Sequence, residues 1–129
     1  MENIHSETYA RLIETFSVDR TEQLEMTNAV ITESAVVAKT KWVENWMGDT
    51  KPFATRLIAF AIVEGVFFSG SFCAIFWLKS KGKLLEGLCK SNEFIARDEG
   101  IHTRFAVHMY NKHVPADAKP SNEQVIHLT

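Results

Sequence analysis

The sequence predicts an all-α fold, a bundle of about four helices. Long stretches of helix-forming residues alternate with short segments of turn chemistry, and no stretch shows the alternating pattern of a strand. The chain has 129 residues, of which 46% are hydrophobic and 23% are charged, so it can bury a core of ordinary size. We therefore treat residues 1–129 as a single domain that is helical to about residue 113.

The ends of the helices are predicted from the turn and cap residues between them. The predicted helices cover residues 2–16, about 21–46 with a bend near Thr32, about 53–81, and about Leu84 to His113. Thr21 is the candidate cap of the second helix, Pro52 precedes the third, and Pro115 ends the fourth. Residues 114–129 are polar and are expected to form a linker or a frayed segment.

Charge and cysteine content exclude several functional classes. A formal net charge of −2, with no cluster of Lys or Arg, argues against general binding to nucleic acid or to acidic membranes. Cys73 and Cys89 are the two cysteines and lack CxxC spacing, which favours a reducing compartment. No N-terminal signal is visible, so we expect a cytoplasmic protein.

One apolar run, residues 57–78, is long enough to cross a bilayer. Glu64 falls in its first half and Ser69-Gly70-Ser71 near its middle. An ionisable side chain at membrane depth costs about 3 kcal/mol or more. A helix that is apolar on all sides can equally lie at the centre of a soluble protein. We favour the buried helix over the membrane span.

The motif Glu-x-x-His occurs twice, as Glu2 with His5 and as Glu99 with His102. Residues three apart on a helix project from nearly the same side, so each pair can offer an oxygen and a nitrogen to one metal. Carboxylate and imidazole ligands suit iron or manganese, whereas thiolates suit zinc. Two such motifs, with single Glu residues from two other helices, are typical of a di-iron or di-manganese bundle. With Glu64, the chain holds five of these six ligands.

Each Glu-x-x-His motif also has a plain explanation, because this spacing arises by chance on charged helix faces. Glu64 is harder to explain in that way. Its neighbours one turn away are Phe60, Ala61, Phe67 and Phe68, so its carboxylate is not expected to face solvent. An unpaired charge in such surroundings is costly, and metal cations remove that cost. The combined pattern therefore predicts a metal centre.

Two further residues lie beside the predicted ligands. Tyr9 is one turn beyond His5 on the same helix stripe, which brings a phenol near the metal site. Asp98 points about a quarter-turn away from the second motif. It can accept the N–H of a metal-bound histidine, or it can pair on the helix surface with Arg97 or Arg104. Spacing alone leaves both alternatives open.

Three stretches resemble a known family closely. They are Met-Glu-Asn-Ile-His-Ser-Glu-x-Tyr (1–9), Val-Glu-Gly-Val-Phe-Phe-Ser-Gly-Ser-Phe (63–72) and Ser-Asn-Glu-Phe-Ile-Ala-Arg-Asp-Glu-Gly-Ile-His (91–102). Together they resemble the small, radical-generating subunit of class I ribonucleotide reductase, over most of the chain to about residue 113. The resemblance implies an incomplete ferritin-like di-iron carboxylate bundle, about four helices of a larger one.

The resemblance also implies roles for individual residues. The implied ligands of a dinuclear centre, with two Fe ions or with Mn/Fe, are Glu2, His5, Glu64, Glu99 and His102. Tyr9 would carry a stable radical, and its apolar pocket would consist of Phe68, Phe72 and Ile95. Asp98, hydrogen-bonded to His5, would belong to the route of radical transfer.

The implied partner is the large catalytic subunit, where the radical starts reduction of ribonucleotides to deoxyribonucleotides. The full-length small subunit would be a cytoplasmic homodimer that binds neither nucleic acid nor membrane. The family supplies one more carboxylate ligand, usually Asp, from a preceding helix, which this sequence lacks. We therefore expect a central fragment that holds no stable radical when isolated. Two alternatives stay open: another ferritin-like di-iron oxidase or iron-storage protein, and a non-catalytic half of a split protein.

Overall fold

The structure, a computed structural model, describes residues 1–82 and 85–128, except for the side chain of Val30. The described residues form helices and turns without any strand, which confirms the all-α prediction. The α-helices are α1 (Glu2–Phe16), α2 (Arg20–Thr32), α3 (Ser34–Met47), α4 (Phe53–Ile62), α5 (Ser69–Ser80), α6 (Glu86–His113) and α7 (Asn122–Ile126). A π-helical segment, Val63–Phe67, lies between α4 and α5 in the chain. A 3₁₀ turn, Ala116–Ala118, precedes α7.

Helix α1 has the predicted limits, but the cap of α2 is Asp19, and the assignment to Thr21 is wrong. The backbone of Asp19 is extended, and its carboxylate accepts the N–H of Thr21 at 2.7 Å. An acidic N-cap satisfies one of the free amides of the first turn and complements the positive end of the helix dipole. Asp19, two residues before Thr21, therefore caps α2, and the helix begins at Arg20.

The second predicted helix is divided in two at Glu33, next to the predicted bend. Glu33 has an extended backbone (φ −77°, ψ 116°), and its N–H still closes α2 on the carbonyl of Ala29. The hydroxyl of Thr32 donates to the carbonyl of Asn28 at 3.2 Å. Such back-bonding competes with the helix ladder and bends helices, so a break near Thr32 has a local cause.

The third predicted helix is continuous, but its hydrogen-bonding pattern changes within it. Residues 63–67 form i→i+5 bonds instead of the i→i+4 bonds of α4 and α5. Phe68 forms the junction with α5 in a right-handed helical conformation. Glu64 lies inside this π-helical segment, so the one acid of the apolar run sits where the helix is widened.

Helix α4 packs mainly on α6 and α3, and α6 also contacts α1, the π-helical segment and α5. The buried apolar residues at these contacts include the small side chains Ala54, Ala59 and Ala106, together with Ile95. Small residues let two helix backbones approach closely. α6 is therefore the central helix, and α1, the π-helical segment and α5 are arranged around it.

The last part of the chain packs on the bundle. The predicted start of the fourth helix, Leu84, lies outside the described residues, whereas its end at His113, two residues before Pro115, is as predicted. Residues 114–129 were expected to be a linker or a frayed segment. Instead, Leu128 is 2% exposed and its carbonyl accepts the indole N–H of Trp42 at 3.0 Å. Ser121 closes a capping box that starts α7.

The helical stretch Phe53–Ser80 is long and apolar enough to cross a membrane by length and composition. Only 6% of its most apolar window is buried within the structure. Phe76 and Trp77 on α5 are among its exposed side chains. We expected this helix to be buried. The described residues leave most of it uncovered, because α5 is covered mainly by α6.

Candidate metal centre

Three elements bring the five predicted ligands to one place. Helix α1 carries Glu2 and His5, the π-helical segment carries Glu64, and α6 carries Glu99 and His102. Both Glu-x-x-His pairs point to the same side of their helices, as their spacing predicts. The ligand pattern of the sequence is therefore matched by convergence in the structure.

His102 lies at one end of the cluster. Its Nδ1 atom is 2.8 Å from Glu99 Oε2, 3.5 Å from Glu64 Oε2 and 3.5 Å from Glu2 Oε1. Ligand atoms of Glu2, Glu99 and His102 lie within 4.8 Å of one another. One cation placed among these atoms would reach an imidazole nitrogen and carboxylate oxygens together.

His5 lies on the other side of Glu99 and is 7% exposed. Its Nε2 is 3.2 Å from Asp98 Oδ2, and because a carboxylate only accepts, Nε2 carries the proton. In the neutral imidazole, Nδ1 then presents a lone pair towards Glu99 Oε1 at 3.1 Å, without a hydrogen bond. Two electron pairs face each other across this distance, an arrangement that a cation between them would stabilise.

Glu64 completes the cluster from the π-helical segment. Its side chain is 9% exposed, and its Oε2 has no hydrogen bond. Burial, followed by the hydrogen bond and charge of Glu99, raises the pKa of Glu64 to about 8. Burial would lower the pKa of His102, but the hydrogen bond with Glu99 and the attraction of Glu99 and Glu64 outweigh it and raise that pKa. Bound protons thus offset the negative charge of these carboxylates, and metal cations can take over that role.

The donor set and its unsatisfied atoms fit a metal centre. His5 Nδ1 and Glu64 Oε2 are buried and aimed into the cluster, and both lack a hydrogen bond there. Glu99 places one oxygen towards each imidazole, so one carboxylate connects the two halves of the site. Carboxylates with imidazoles suit iron and manganese.

Asp98 joins the cluster to the surface of α6. Its carboxylate is 10% exposed, accepts from His5 Nε2, and lies 3.3 Å from Arg97 Nη2. The hydrogen bond from His5, and next that from Arg97, hold the pKa of Asp98 below its usual value against the effect of burial. The two alternatives that spacing left open, a histidine partner and an arginine partner, therefore occur together.

Tyr9 lies beside the cluster but is not enclosed by the described residues. It is 40% exposed, and burial followed by the charge of Glu99 raises its pKa. Of its predicted pocket, Ile95 is 5% exposed, whereas Phe68 is 40% exposed. The rings of Phe68 and Phe72 pair with each other at 6.1 Å. The structure thus places the phenol near Glu99 without a closed apolar pocket around it.

Sequence reasoning missed two residues that position the ligands. The hydroxyl of Thr103 donates to the backbone carbonyl of Glu99 at 2.9 Å. A Cβ atom added to Gly65, next to Glu64, would lie 3.1 Å from Thr103 Cγ2. Gly65 directly follows Glu64, and Thr103 lies one helical turn after Glu99. These positions in the sequence were the signal that could have identified them as residues that support the ligands.

The comparisons with known proteins identify the family of this chain. All of residues 1–129 match the model of the family described as "Ribonucleotide reductase, small chain". The chain belongs to the ribonucleotide reductase small-chain family. This confirms the resemblance noted in the sequence, and the helices are part of the ferritin-like helical fold of the small-chain family.

Three relatives illustrate the similarity. The "Ribonucleoside-diphosphate reductase small chain" of Trypanosoma brucei brucei is 55% identical over 114 residues, which are 88% of this chain and 34% of the relative. The "Ribonucleoside-diphosphate reductase small subunit" of Dictyostelium discoideum is 53% identical over 112 residues, 87% of this chain and 33% of the relative. The small chain of Swinepox virus (strain Kasza) is 48% identical over 126 residues, 98% of this chain and 44% of the relative. The chain thus spans about a third to under half of these small chains.

Proposed function

We propose that this chain is the central, metal-binding part of a ribonucleoside-diphosphate reductase small subunit, and that it contributes five ligands to a dinuclear iron centre. The observation that carries the proposal is Glu99, whose two oxygens face His5 at 3.1 Å and His102 at 2.8 Å. Glu2 and Glu64 supply the flanking carboxylates. A sixth carboxylate would come from outside these residues, and Mn/Fe is the alternative pair of metals.

The chain's own residues would hold the metal ions and would keep the protons on His5 Nε2 and on the phenol of Tyr9. Asp98 fixes the ring of His5 through Nε2, which leaves Nδ1 free to act as a ligand. Burial and then the charge of Glu99 raise the pKa of Tyr9, so the phenol keeps its proton until it is oxidised. When bound, the dinuclear centre would supply, with O₂, the oxidising power that removes one electron and one proton from Tyr9.

The radical on Tyr9 would then serve a partner subunit. Asp98 links the buried His5 to Arg97, whose side chain is exposed, and so forms a polar connection from the centre to the protein surface. We propose that this connection belongs to the route towards the large catalytic subunit, where ribonucleotides are reduced for DNA synthesis. The complete small subunit would be a cytoplasmic homodimer that binds neither nucleic acid nor membrane.

A second candidate function follows from the exposed apolar surface. Phe53–Ser80 is mostly unburied, and Tyr9 is 40% exposed, so the chain can be the non-catalytic half of a split protein that completes its site by association. A ferritin-like iron-storage protein or other di-iron oxidase would share the ligands. It would have no need for Tyr9 or for Asp98 on a transfer route.

A chimera would test the leading proposal. Residues 1–114 of this chain would replace the matching segment of the Trypanosoma brucei brucei small chain, which supplies the remaining helices. After addition of Fe(II) and O₂, we expect a tyrosyl radical signal in electron paramagnetic resonance (EPR) and ribonucleotide reduction with that organism's large subunit. Tyr9→Phe should abolish both and leave iron binding intact. Nucleotide reduction that survives Tyr9→Phe would contradict the proposed role of Tyr9, and a chimera without bound iron would contradict the metal centre.

A further inference from the structure

Glu64 reaches the metal cluster from a π-helical segment, so the winding of that segment decides where its carboxylate points. Successive residues of an α-helix are rotated by about 100° around the axis. A π-helical turn holds one residue more than an α-helical turn. If residues 63–67 returned to α-helical winding, the side chains on one side of the segment would rotate by about that angle. The carboxylate of Glu64 therefore depends on contacts that maintain the widened turn.

One such contact comes from α3. The ammonium group of Lys39 donates to the backbone carbonyl of Phe67, the last residue of the π-helical segment, at 2.9 Å. The same ammonium lies 5.7 Å from the centroid of the Phe67 ring. Trp42, three residues further along α3, packs its ring edge-on to Phe67 at 4.8 Å. Lys39 and Trp42 thus hold both the backbone and the side chain of Phe67.

The end of the segment accepts a second side-chain donor. Ser69 Oγ donates to the carbonyl of Val66 at 2.6 Å. Both donors bind carbonyl oxygens at the place where the π-helical winding changes to that of α5. Lys39 brings a full positive charge to this end, whereas Ser69 brings a neutral hydroxyl.

The opposite side of the segment rests on α6. Gly65 lies so close to Thr103 that a Cβ atom would meet the Thr103 methyl at 3.1 Å. Thr103 is itself hydrogen-bonded to the carbonyl of Glu99. The segment is therefore held between Lys39 on α3 and Thr103 on α6, and Glu64 belongs to this segment, directly before Gly65.

We propose that Lys39 is a positioning residue for the metal centre: its bond to the Phe67 carbonyl maintains the π-helical winding that directs the carboxylate of Glu64 towards His102. Lys39 itself touches no ligand atom. This inference rests on the proposed metal centre, since it assigns a support to one of that centre's ligands.

The test compares lysine variants on α3. Lys39→Met removes the donor and charge but keeps the length of the side chain, Lys39→Arg keeps both, and Lys41→Met is the matched control at another exposed lysine of α3. Mn(II) affinity is measured from the EPR signal of free Mn(II), and amide hydrogen exchange of residues 63–72 is measured without metal. We expect Lys39→Met to weaken Mn(II) binding about tenfold, as losses of supporting contacts around metal ligands do. Exchange in residues 63–72 should quicken in the same variant.

Lys39→Arg should restore both readouts, and Lys41→Met should match the unaltered chain. Wild-type affinity and exchange in Lys39→Met would overturn the inference, as would an equal loss in Lys41→Met. If Lys39→Met loses helical circular dichroism, Lys39→Leu, which also lacks a donor, takes its place with the same expected direction. Glu99→Gln separates the two levels of the argument. If it binds Mn(II) as well as the unaltered chain does, the metal centre itself is wrong, whereas weakened binding in Glu99→Gln with none in Lys39→Met refutes Lys39 alone.

Discussion

Metal affinity of the chain should rise steeply as the pH approaches 8, because Glu64 must lose a proton before it can act as a ligand. Burial and the neighbouring Glu99 raise the pKa of Glu64 to about 8. Below that pKa, each pH unit reduces the ionised fraction about tenfold. The affinity should therefore increase about fiftyfold between about pH 6 and about pH 8 from this one proton. His102, whose pKa is also raised, must lose a proton as well and makes the curve steeper.

The assay is calorimetric titration of the chain with Mn(II) at several pH values, without oxygen and with buffers of different ionisation enthalpy to count released protons. The matched variant is Glu64→Gln, which keeps the shape of the side chain but cannot ionise. It should bind more weakly at pH 8 and should lose most of the pH dependence. An affinity that is equal at about pH 6 and about pH 8 in the unaltered chain would refute the reasoning, because Glu64 would then carry no proton to displace.

The free energy of unfolding is an independent check of the pKa of Glu64. It should fall with rising pH in the metal-free chain, whereas the metal affinity should rise. In the metal-free chain the pKa of Glu64 is raised from 4.5 to about 8, so between these values the folded state binds more protons than the unfolded state. Stability should then fall as the pH rises through this range. Saturating Mn(II) should remove the slope that Glu64 causes, since the metal replaces the proton and neither the metal-bound nor the unfolded state then carries it. A metal-free stability that rises between these pH values would contradict the shift assigned to Glu64.

Three substitutions test other contacts. Gly65→Ala should weaken Mn(II) binding in calorimetry, because its Cβ would lie 3.1 Å from the Thr103 methyl, and Thr103→Ser in the same chain should recover it. Asn92→Leu should raise the free energy of unfolding by about 1 kcal/mol in urea, because Asn92 is 1% exposed with no hydrogen bond from its amide among the described residues. Trp42→Phe should lower it by about 1 kcal/mol and quicken amide exchange in residues 122–128, because it removes the bond to the Leu128 carbonyl.

Each of these has a contradicting result. Unchanged binding in Gly65→Ala would mean that α6 and the π-helical segment are not held at close approach. A destabilised Asn92→Leu would show that the buried amide is hydrogen-bonded in solution. Exchange in residues 122–128 that is insensitive to Trp42→Phe would mean that α7 is held by other contacts. Thr103→Ser alone is the control for the first experiment, and urea unfolding of Trp42→Tyr is a control for ring size in the third.

The pairing of each histidine with its acid was predictable because it depends on helix periodicity alone. His5 and His102 lie three residues after their acids, so each pair must share a helix side wherever the helix goes. Pro52 and Pro115 are strong local signals that limit α4 and α6. A long all-helical chain with acids at these positions has few ways to satisfy their charges other than a shared cation.

The winding at Glu64 was not predictable in the same way. A π-helical turn uses one more residue per hydrogen-bonded ring than an α-helix, and the residues 63–67 are ordinary helix residues of an apolar run. The turn is held by Lys39 on another helix and by close packing at Gly65 against α6. Those contacts are set by tertiary structure, which a one-dimensional pattern does not contain.

The environment of Tyr9 was also beyond the sequence pattern. The spacing puts the phenol one turn beyond His5, and in the structure burial and then the charge of Glu99 raise its pKa. A dry pocket, however, needs side chains on every side of the ring, and Phe68 turns to pair with Phe72 while remaining 40% exposed. Periodicity specifies which side of a helix a residue occupies, but not whether another element covers it.

Anomalous diffraction from crystals of the chain soaked in Mn(II) tests the central claim most directly. The account predicts a manganese peak within about 2.0–2.5 Å of Glu99 carboxylate oxygens and of the Nδ1 atom of His5 or His102. The peak should be lost in Glu99→Gln. A peak elsewhere on the surface, or none at these residues in soaked crystals, would contradict the claim that the five ligands form a metal centre.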